Sequence, residues 1–287
     1  MRSLKILSIF ALVTLGIVLI VALVLRGQET DGLLQVTFFD VGQGDSIFIE
    51  SPSGTQVLID GGKSNQVLRG LQQSMGFFDR DIDMVVATHP DLDHIGGLIE
   101  VLRRYRVHTI LMTENIGATP AFDAFVSQVT NEHAQIVYAR RGQVFDFGRG
   151  ANGSTTFHIL FPDHDPRGLE SNTSSIVGQL VYGESEFLFT GDSPQSIEEY
   201  LVQVSSTSLK SDVLKAGHHG SRTSSSEIFV RAVAPMYGIF SVGKDNTYGH
   251  PHKEVTDLFT QLNIVQKNTA DNGSIFSVSD GVRVWFK

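Results

Sequence analysis

Hydrophobic and polar positions divide the chain into two unlike regions. The first, Ile6 to Leu25, is apolar almost throughout and contains no ionisable residue. At about 1.5 Å per residue, a helix of this length spans the hydrocarbon core of a bilayer. From residue 34 onward, short apolar runs alternate with polar turns that contain glycine. The pattern predicts one N-terminal transmembrane helix within residues 1–26, a linker over 27–33 and a folded domain over 34–287.

The charges beside the apolar segment predict its orientation. Arg2 and Lys5 precede the segment, whereas Arg26 alone follows it closely. Positive residues tend to remain on the cytoplasmic side, so we expect the folded domain to lie outside the membrane. The alternative is a cleaved signal peptide and a secreted domain. An anchor fits better, because the segment exceeds a typical signal-peptide core and no small-x-small cleavage site follows it.

Periodicity within the folded region predicts both strands and helices. A β-meander comes first, with strands at 34–39, 46–50 and 56–59. Apolar strands then alternate with amphipathic helices, a pattern that is typical of α/β layering. The helices are predicted over residues 64–75, 95–104, 120–130, 195–204, 224–234 and 253–262. Because no repeat of fixed period and no second linker is found, we expect a single α/β domain.

Composition narrows the chemistry that the chain can carry. The 287 residues are 41% hydrophobic, carry a formal net charge of −9 and include no cysteine. The acidic balance argues against non-specific coating of nucleic acid, although it is compatible with a local basic groove. Without cysteine, the chain has neither a disulfide framework nor a thiolate ligand. A bound metal must therefore use histidine and carboxylate side chains.

The strongest chemical signal is the segment from Thr88 to Gly97, which directly follows an apolar strand over 84–87. Four of its side chains are able to bind a metal: His89, Asp91, Asp93 and His94. Imidazole together with carboxylate suits Zn²⁺, Mn²⁺ or Fe²⁺ better than Ca²⁺, which prefers oxygen ligands alone. The opposing interpretation is a polar turn that caps a helix. The crowding of histidine and aspartate at one strand end favours a metal site.

This segment resembles the His-x-His-x-Asp-His signature of the metallo-β-lactamase fold superfamily, with Asp91 where the signature has its second histidine. The substitution and the segment Phe39 to Ser46 are similar to the soluble hydrolase domain of the ComEC DNA-uptake proteins and their stand-alone relatives. Further matching segments are Leu58–Gly62, Phe189–Asp192, Leu214–Ser221 and Asn246–Pro251. The resemblance extends from Leu34 to the C-terminus and implies a four-layer αββα sandwich. A single apolar segment cannot form the channel that accompanies this domain in ComEC.

The resemblance also implies roles for residues later in the chain. Asp192 is expected to bridge two divalent metal ions, Zn²⁺ or Mn²⁺, and His250 to be the last ligand of the second ion. His218 and His219 are the expected catalytic residues, one ring facing the metal and the other the substrate; the sequence does not say which. The opposing interpretation of Asp192 and His250 is that each merely lies at the start of a helix.

The region expected to provide a third histidine ligand reads Ser171 to Ser175 and contains no histidine. Asn172 or Ser175 is the candidate replacement. Two nearby histidines, His158 and His164, are expected to be structural, because one alternates along a strand and the other lies in an acidic, proline-containing turn.

Four further polar residues have two interpretations each. Asp60 either orients a ligand histidine or occupies an ordinary turn before two glycines. Asp40 and Asp45 shape a loop at the rim of the site or merely end a hairpin. Lys215 contacts a phosphate oxygen, or it lies in solvent as most lysines do.

The metal-binding segments and the resemblance to ComEC lead us to expect a metal-dependent phosphodiesterase or nuclease outside the membrane, and the resemblance implies single-stranded or processed DNA as its substrate. A bound divalent cation lowers the pKa of water towards ~7, which supplies the attacking group. One alternative keeps this mechanism but acts on a choline-phosphate ester or a lactam. The other is a non-catalytic module that holds nucleic acid for a DNA-uptake channel partner, which Asp91 and the missing histidine leave open.

Overall fold

The computed structural model describes residues 10, 12–18, 32–205 and 209–287. Within those residues, no helix combines the length and the hydropathy that a bilayer span requires. Most of the segment from Ile6 to Leu25 lies outside the described residues. The transmembrane helix, its orientation and the alternative of a cleaved signal peptide therefore remain predictions.

The described part of the chain forms fifteen strands and seven α-helices after residue 32. The strands are β1 Leu34–Phe38, β2 Ile47–Glu50, β3 Gln56–Ile59, β4 Asp81–Ala87, β5 Arg106–Met112, β6 Gln135–Tyr138, β7 Val144–Gly150, β8 Gly153–Phe161, β9 Val177–Tyr182, β10 Ser185–Phe189, β11 Val213–Lys215, β12 Tyr237–Phe240, β13 Val265–Asn268, β14 Ile275–Ser279 and β15 Val284–Phe286. The helices are α1 Gln66–Ser74, α2 Leu92–Leu102, α3 Pro120–Glu132, α4 Gln195–Ser205, α5 Glu227–Val233, α6 Lys253–Gln261 and α7 Thr269–Asn272.

The strands form two sheets. The first has the order β15-β14-β1-β2-β3-β4-β5-β6, and the second has the order β13-β12-β11-β10-β9-β8-β7. Each sheet joins antiparallel hairpins to a parallel part: β3 to β6 in the first sheet and β10 to β13 in the second. The parallel parts are connected through helices, as a right-handed crossover requires.

Three apolar clusters show how the layers stack. One cluster lies between the sheets and combines side chains of both, including Phe38 and Ile49 from the first sheet and Phe157 from the second. A second cluster packs α1, α2 and α3 on the outer face of the first sheet, and a third packs α4, α5 and α6 on the outer face of the second. This arrangement is a four-layer αββα sandwich, so the predicted α/β fold is confirmed.

Three details differ from the pattern-based prediction. The helix predicted from residue 224 begins at Glu227, because the preceding serines are held by other contacts: Ser225 N and Ser226 N donate to Glu198. The edge strand β13 and the short helix α7 were missed as well. Strand β13 reads Val-Gln-Lys-Asn and none of its residues is fully buried, so it lacks the apolar signal by which a strand is recognised.

Candidate metal centre

The first half of the site is the turn between β4 and α2. Asp60, at the end of β3, is buried and accepts hydrogen bonds from Thr88 N (2.9 Å to Oδ1), Thr88 Oγ1 (2.7 Å to Oδ2) and His94 Nδ1 (2.8 Å to Oδ2). Because the Thr88 hydroxyl proton is given to Asp60, its oxygen accepts from His89 Nδ1 at 3.0 Å. Both histidines thus have their Nε2 lone pairs free towards the site.

The second half of the site is assembled from the ends of β10 and β11. Asp192 follows β10 through Gly191, whose φ of 51° is left-handed, and it is 3% exposed. His218 and His219 follow β11 in a tight turn in which both have positive φ, 47° and 56°. Histidine tolerates this region better than most residues, yet two in succession store backbone strain that the surrounding contacts must hold.

Asp192 lies at the centre of the arrangement. Its Oδ1 is 3.3 Å from His94 Nε2, and its Oδ2 is 3.4 Å from His219 Nε2, 3.6 Å from His218 Nε2 and 4.0 Å from His89 Nε2. Asp93 joins from the first half, with Oδ2 3.4 Å from His219 Nε2. Side chains that are about a hundred residues apart in sequence therefore converge on one buried space.

Among the described residues, several overlapping groups have ligand atoms within 4.8 Å of one another. These groups are His89–His94–Asp192, Asp93–His94–His219, Asp45–Asp192–His219 and Asp45–Asp60–His94. Their histidine nitrogens are buried without hydrogen-bond partners in the described parts of the chain, at His89 Nε2, His94 Nε2, His219 Nδ1 and His219 Nε2, and Asp192 Oδ1 has none either. Buried polar atoms are costly without partners, so their convergence fits a set of metal ligands.

The charges of these side chains favour the binding of a metal cation. Burial, followed by the neighbouring His94, lowers the pKa of His89 to about 4, which keeps this imidazole neutral as a ligand must be. Burial also lowers the pKa of His219, but the carboxylates of Asp192 and Asp45 outweigh it and raise that pKa to about 10. Asp192 and Asp60 likewise raise the pKa of His94 well above its usual value against the effect of burial. Carboxylates that attract a proton to a histidine also attract a metal ion in its place.

Lys215 and Asp45 lie beneath this centre. Lys215 is fully buried, so the expectation that it lies in solvent is wrong. Its ammonium forms an ion pair with Asp45, lies 3.9 Å from Asp192 Oδ1 and donates to Gly191 O at 3.3 Å. Asp45 is only 2% exposed, so it belongs to the interior and neither to the rim nor to an exposed hairpin end. The pair connects the loop between β1 and β2 to the two strand ends of the second sheet.

Asp91 and the Ser171–Ser175 region lie at the edge of the centre. Asp91 has a side chain that is 44% exposed, with Oδ2 3.7 Å from His89 Nε2, and its Oδ1 accepts from Ser171 Oγ at 2.6 Å. Ser175 Oγ accepts from Asp192 N at 3.2 Å, so it supports the backbone at that ligand. Asn172 Oδ1 is buried without a partner among the described residues, which leaves Asn172 as the candidate additional ligand from this region.

His218 and His250 form the more open side. The His218 side chain is 27% exposed, whereas that of His219 is 1% exposed. His250 is half-buried, with its ring centroid 5.6 Å from that of His218 and 6.2 Å from that of His219. Burial, then His219 and His218, lower the pKa of His250 to about 4. His219 thus lies among the buried side chains that could hold a metal, and His218 lies on the more exposed side.

The two histidines expected to be structural lie apart from the centre. His158 Nε2 bonds with Thr156 Oγ1 at 2.8 Å, and His164 Nδ1 donates to Asp163 Oδ1 at 2.5 Å. Neither belongs to any metal-competent group found among the described residues.

Sequence reasoning missed the role of Glu198, which supports the second half of the site. Glu198 is fully buried on α4 and accepts from Ser225 N at 2.6 Å and Ser226 N at 2.7 Å, in the loop that continues from the histidine turn. The available signal was an acid on the buried face of a helix, three residues before Leu201 and seven before Ser205.

Comparison with known proteins identifies the family. The sequence profile of the Metallo-beta-lactamase superfamily matches residues 39–244, and the chain belongs to this superfamily. Two solved structures share the fold: CmlA, a diiron β-hydroxylase from Streptomyces venezuelae (14% identity, 89% of this chain and 54% of that chain, TM-score 0.54), and the metallo-beta-lactamase fold protein YhfI from Bacillus subtilis (13% identity, 82% and 95%, TM-score 0.50). At these identities the likeness concerns the fold alone.

Two curated relatives are ComEC-like competence proteins. The chain is 30% identical over 258 residues to ComE operon protein 3 of Bacillus subtilis, covering 84% of this chain and 32% of that protein. It is 30% identical over 221 residues to competence protein ComA of Neisseria gonorrhoeae, covering 77% and 28%. The chain thus spans about a third of the length of these relatives. The resemblance to ComEC-like proteins is confirmed, and the family and site together describe a metal-dependent hydrolase.

Proposed function

We propose that this protein is a metal-dependent phosphodiesterase that cleaves DNA. The observation that carries the proposal is the buried set of imidazoles and carboxylates around Asp192, with ligand atoms that have no other partners among the described residues. The relatedness to competence proteins supports DNA as the substrate in preference to a lactam or a choline-phosphate ester.

The residues of the site have different proposed roles, which follow from their positions. Two divalent cations, Zn²⁺ or Mn²⁺, would be held by His89, Asp91, Asp93, His94, Asp192 and His250 together with His219. Such cations lower the pKa of water towards ~7 and offset charge on the phosphate oxygens. Asp60 holds the ring of His94 through Nδ1 and so directs Nε2 inward.

His218 is the proposed proton donor to the leaving oxygen. It is partly exposed at the mouth of the site, with Nε2 3.6 Å from Asp192 Oδ2. Its Nδ1 lies 3.3 Å from Thr223 Oγ1, which orients the ring. A general acid must come within hydrogen-bond distance of the leaving oxygen of the substrate. The partly exposed His218 could do so, whereas the buried His219 could not.

The test is hydrolysis by the full chain in detergent, after metal removal and after addition of Mn²⁺ or Zn²⁺. Substrates are single-stranded DNA, double-stranded DNA, bis-p-nitrophenyl phosphate and a chromogenic lactam. We expect metal-dependent cleavage of the phosphodiesters and none of the lactam. Asp192→Asn should reduce the rate by about 10³-fold, since metal stabilisation of the transition state is worth several kcal/mol. Asp123→Asn, an exposed carboxylate on α3, is the matched control.

Three results would contradict the proposal. Cleavage that survives a chelator excludes the metal mechanism, and preference for the lactam excludes the phosphodiester substrate. Binding of DNA without hydrolysis, with no metal found by elemental analysis, would favour a non-catalytic module for a DNA-uptake channel partner.

We also propose that the N-terminal segment anchors the domain outside the membrane, on the strength of its apolar length and flanking charges. Because the chain has no cysteine, Glu184→Cys supplies a single exposed thiol in a turn of the domain. A membrane-impermeant maleimide should label it in intact cells in the membrane fraction. Labelling only after permeabilisation would reverse the orientation, and a labelled soluble product would indicate cleavage.

A further inference from the structure

A polar groove of about 720 Å³ opens beside the metal centre. Its lining includes Gln43, Gln66, Arg69, Lys244, Asn246 and Phe276. The side-chain amides in this lining donate and accept hydrogen bonds. Arg69 and Lys244 are positively charged, whereas the whole chain has a formal net charge of −9. The groove therefore differs in chemistry from the acidic chain around it.

The groove and the metal centre share a wall. The segment Gly42–Gly44 lies between them: a Cβ at Gly44 would be 2.1 Å from Asp93 O, and a Cβ at Gly243 would be 3.0 Å from Gln43 N. Asn246 lines the groove and also holds His250, accepting from its backbone N at 3.0 Å and donating to its carbonyl oxygen at 2.8 Å. The groove therefore lies next to the backbone segments that carry Asp93 and His250.

The two basic side chains in the groove have no acidic partner. Arg69 and Lys244 are exposed, and neither has a carboxylate within 4.0 Å in the described parts of the chain. Asp40 and Asp245 also line the groove, so its formal charge is balanced. A lining with two separate cations and no net charge suits a ligand whose negative charges are spaced apart, because each charge can contact one cation. It suits a polyanion of high charge density less well.

An exposed aromatic ring lies in the same loop as the groove residues Lys244 and Asn246. Tyr248 is 64% exposed, and its ring stacks on that of His250 with centroids 5.7 Å apart and an angle of 22° between the planes. A flat ring held in this way offers its free face to another planar group. Nucleobases stack on such rings regardless of sequence, once they are outside a duplex.

We propose that the groove, with Arg69 and Lys244, and the ring of Tyr248 form a subsite for a single-stranded nucleic acid. The nucleotides next to the scissile bond occupy it, with one base on Tyr248 and the following phosphates along the two cations. The inference rests on the proposed phosphodiesterase function and names the residues that would bind an extended single strand beside the metal centre, without base-specific contacts.

The test separates binding from hydrolysis. Binding of a fluorescein-labelled oligothymidylate is measured by anisotropy with a chelator present, over a range of salt concentrations. Arg69→Gln with Lys244→Gln should weaken binding and reduce the slope of log K against log salt by about 1.4, at about 0.7 per phosphate contact. Arg103→Gln with Arg231→Gln removes two exposed cations outside the groove and should leave the slope unchanged.

The stacking role has its own pair of variants. Tyr248→Ala should weaken oligothymidylate binding by roughly tenfold, and Tyr248→Phe should retain it, because the phenyl face stacks without the hydroxyl. With metal present, the groove double variant should raise KM for the oligonucleotide far more than KM for bis-p-nitrophenyl phosphate, which has no flanking nucleotides to bind in the groove.

The outcomes distinguish the two proposals. Hydrolysis of diesters by the wild type, with oligonucleotide binding unaffected by the groove and Tyr248 variants, overturns the subsite alone. An equal loss in the control double variant, or equal affinity for duplex and single strand, also overturns it. Oligonucleotide binding that shows these effects without any hydrolysis leaves the subsite in place and overturns the phosphodiesterase function.

Discussion

The two halves of the metal centre are built in different ways. The first half comes from one strand end, where His89, Asp93 and His94 lie within a single turn that Asp60 holds through three hydrogen bonds. The second half comes from separate strand ends and requires left-handed backbone at Gly191, His218 and His219. One carboxylate from the neighbouring strand is enough to order a continuous turn, whereas separate loops need several contacts to hold them together.

Two buried ionisable side chains make the contacts that hold the second half together. Lys215 connects Asp45 to the Gly191–Asp192 turn, and Glu198 holds the loop that follows the histidine turn. The first half is therefore ordered within the first sheet, through a contact between the neighbouring strands β3 and β4. The second half depends on a contact between the two sheets. Perturbing each support separately tests this comparison.

The largest effect is expected from Lys215→Met. The variant leaves Asp45 buried without its counter-ion, and breaking a buried pair in this way costs about 3–5 kcal/mol. Lys215→Met combined with Asp45→Asn should recover part of that loss, because residue 45 then carries no buried charge that lacks Lys215. Urea unfolding in the presence of chelator measures both. If the double variant is less stable than the single variant, the pair is not what connects the two sheets.

The next largest effect is expected from Asp60→Asn. Asparagine tolerates the positive φ of 56° at this position, so the backbone is preserved, but its amide cannot accept all the bonds that orient Thr88 and His94. Loss of such support weakens metal affinity by about 10–100-fold. Competition with a chromogenic chelator measures the affinity, with Asp123→Asn as control. Unchanged affinity would show that the turn holds its ligands without Asp60.

The smallest effect is expected from Glu198→Gln and concerns pH. Burial is the largest cause that raises the pKa of Glu198, from 4.5 to about 7, against the hydrogen bonds from Ser226 N and Ser225 N. Between these values the folded state holds a proton that the unfolded state releases, so wild-type stability falls as pH rises and levels off above pH 7.

The measurement is the difference in unfolding free energy between wild type and Glu198→Gln at pH 6 and pH 7. The variant lacks the titrating group, so the wild type should lose about 1 kcal/mol relative to it over this interval. A constant difference between the two proteins would mean that Glu198 is ionised throughout.

Much of the fold could be predicted from local pattern. Alternating apolar strands and amphipathic helices indicated the α/β layers, since each buried face repeats at the period of its own element. The edge strand β13 could not be predicted in this way, because it pairs with β12 through backbone hydrogen bonds and none of its side chains is fully buried. The helix predicted from residue 224 also begins later, because the preceding backbone donates to a glutamate on another helix.

The sequence by itself determined the family, the strand-end cluster from His89 to His94, and the restriction of any metal to nitrogen and oxygen ligands. Only the tertiary structure decided that Lys215 is buried against Asp45, that His219 lies inside the ligand set while His218 faces outward, and that the groove adjoins the site. The physical reason is distance along the chain. Residues within one turn are placed together by local backbone geometry, but burial and ion pairing between sheets arise only when the two sheets pack.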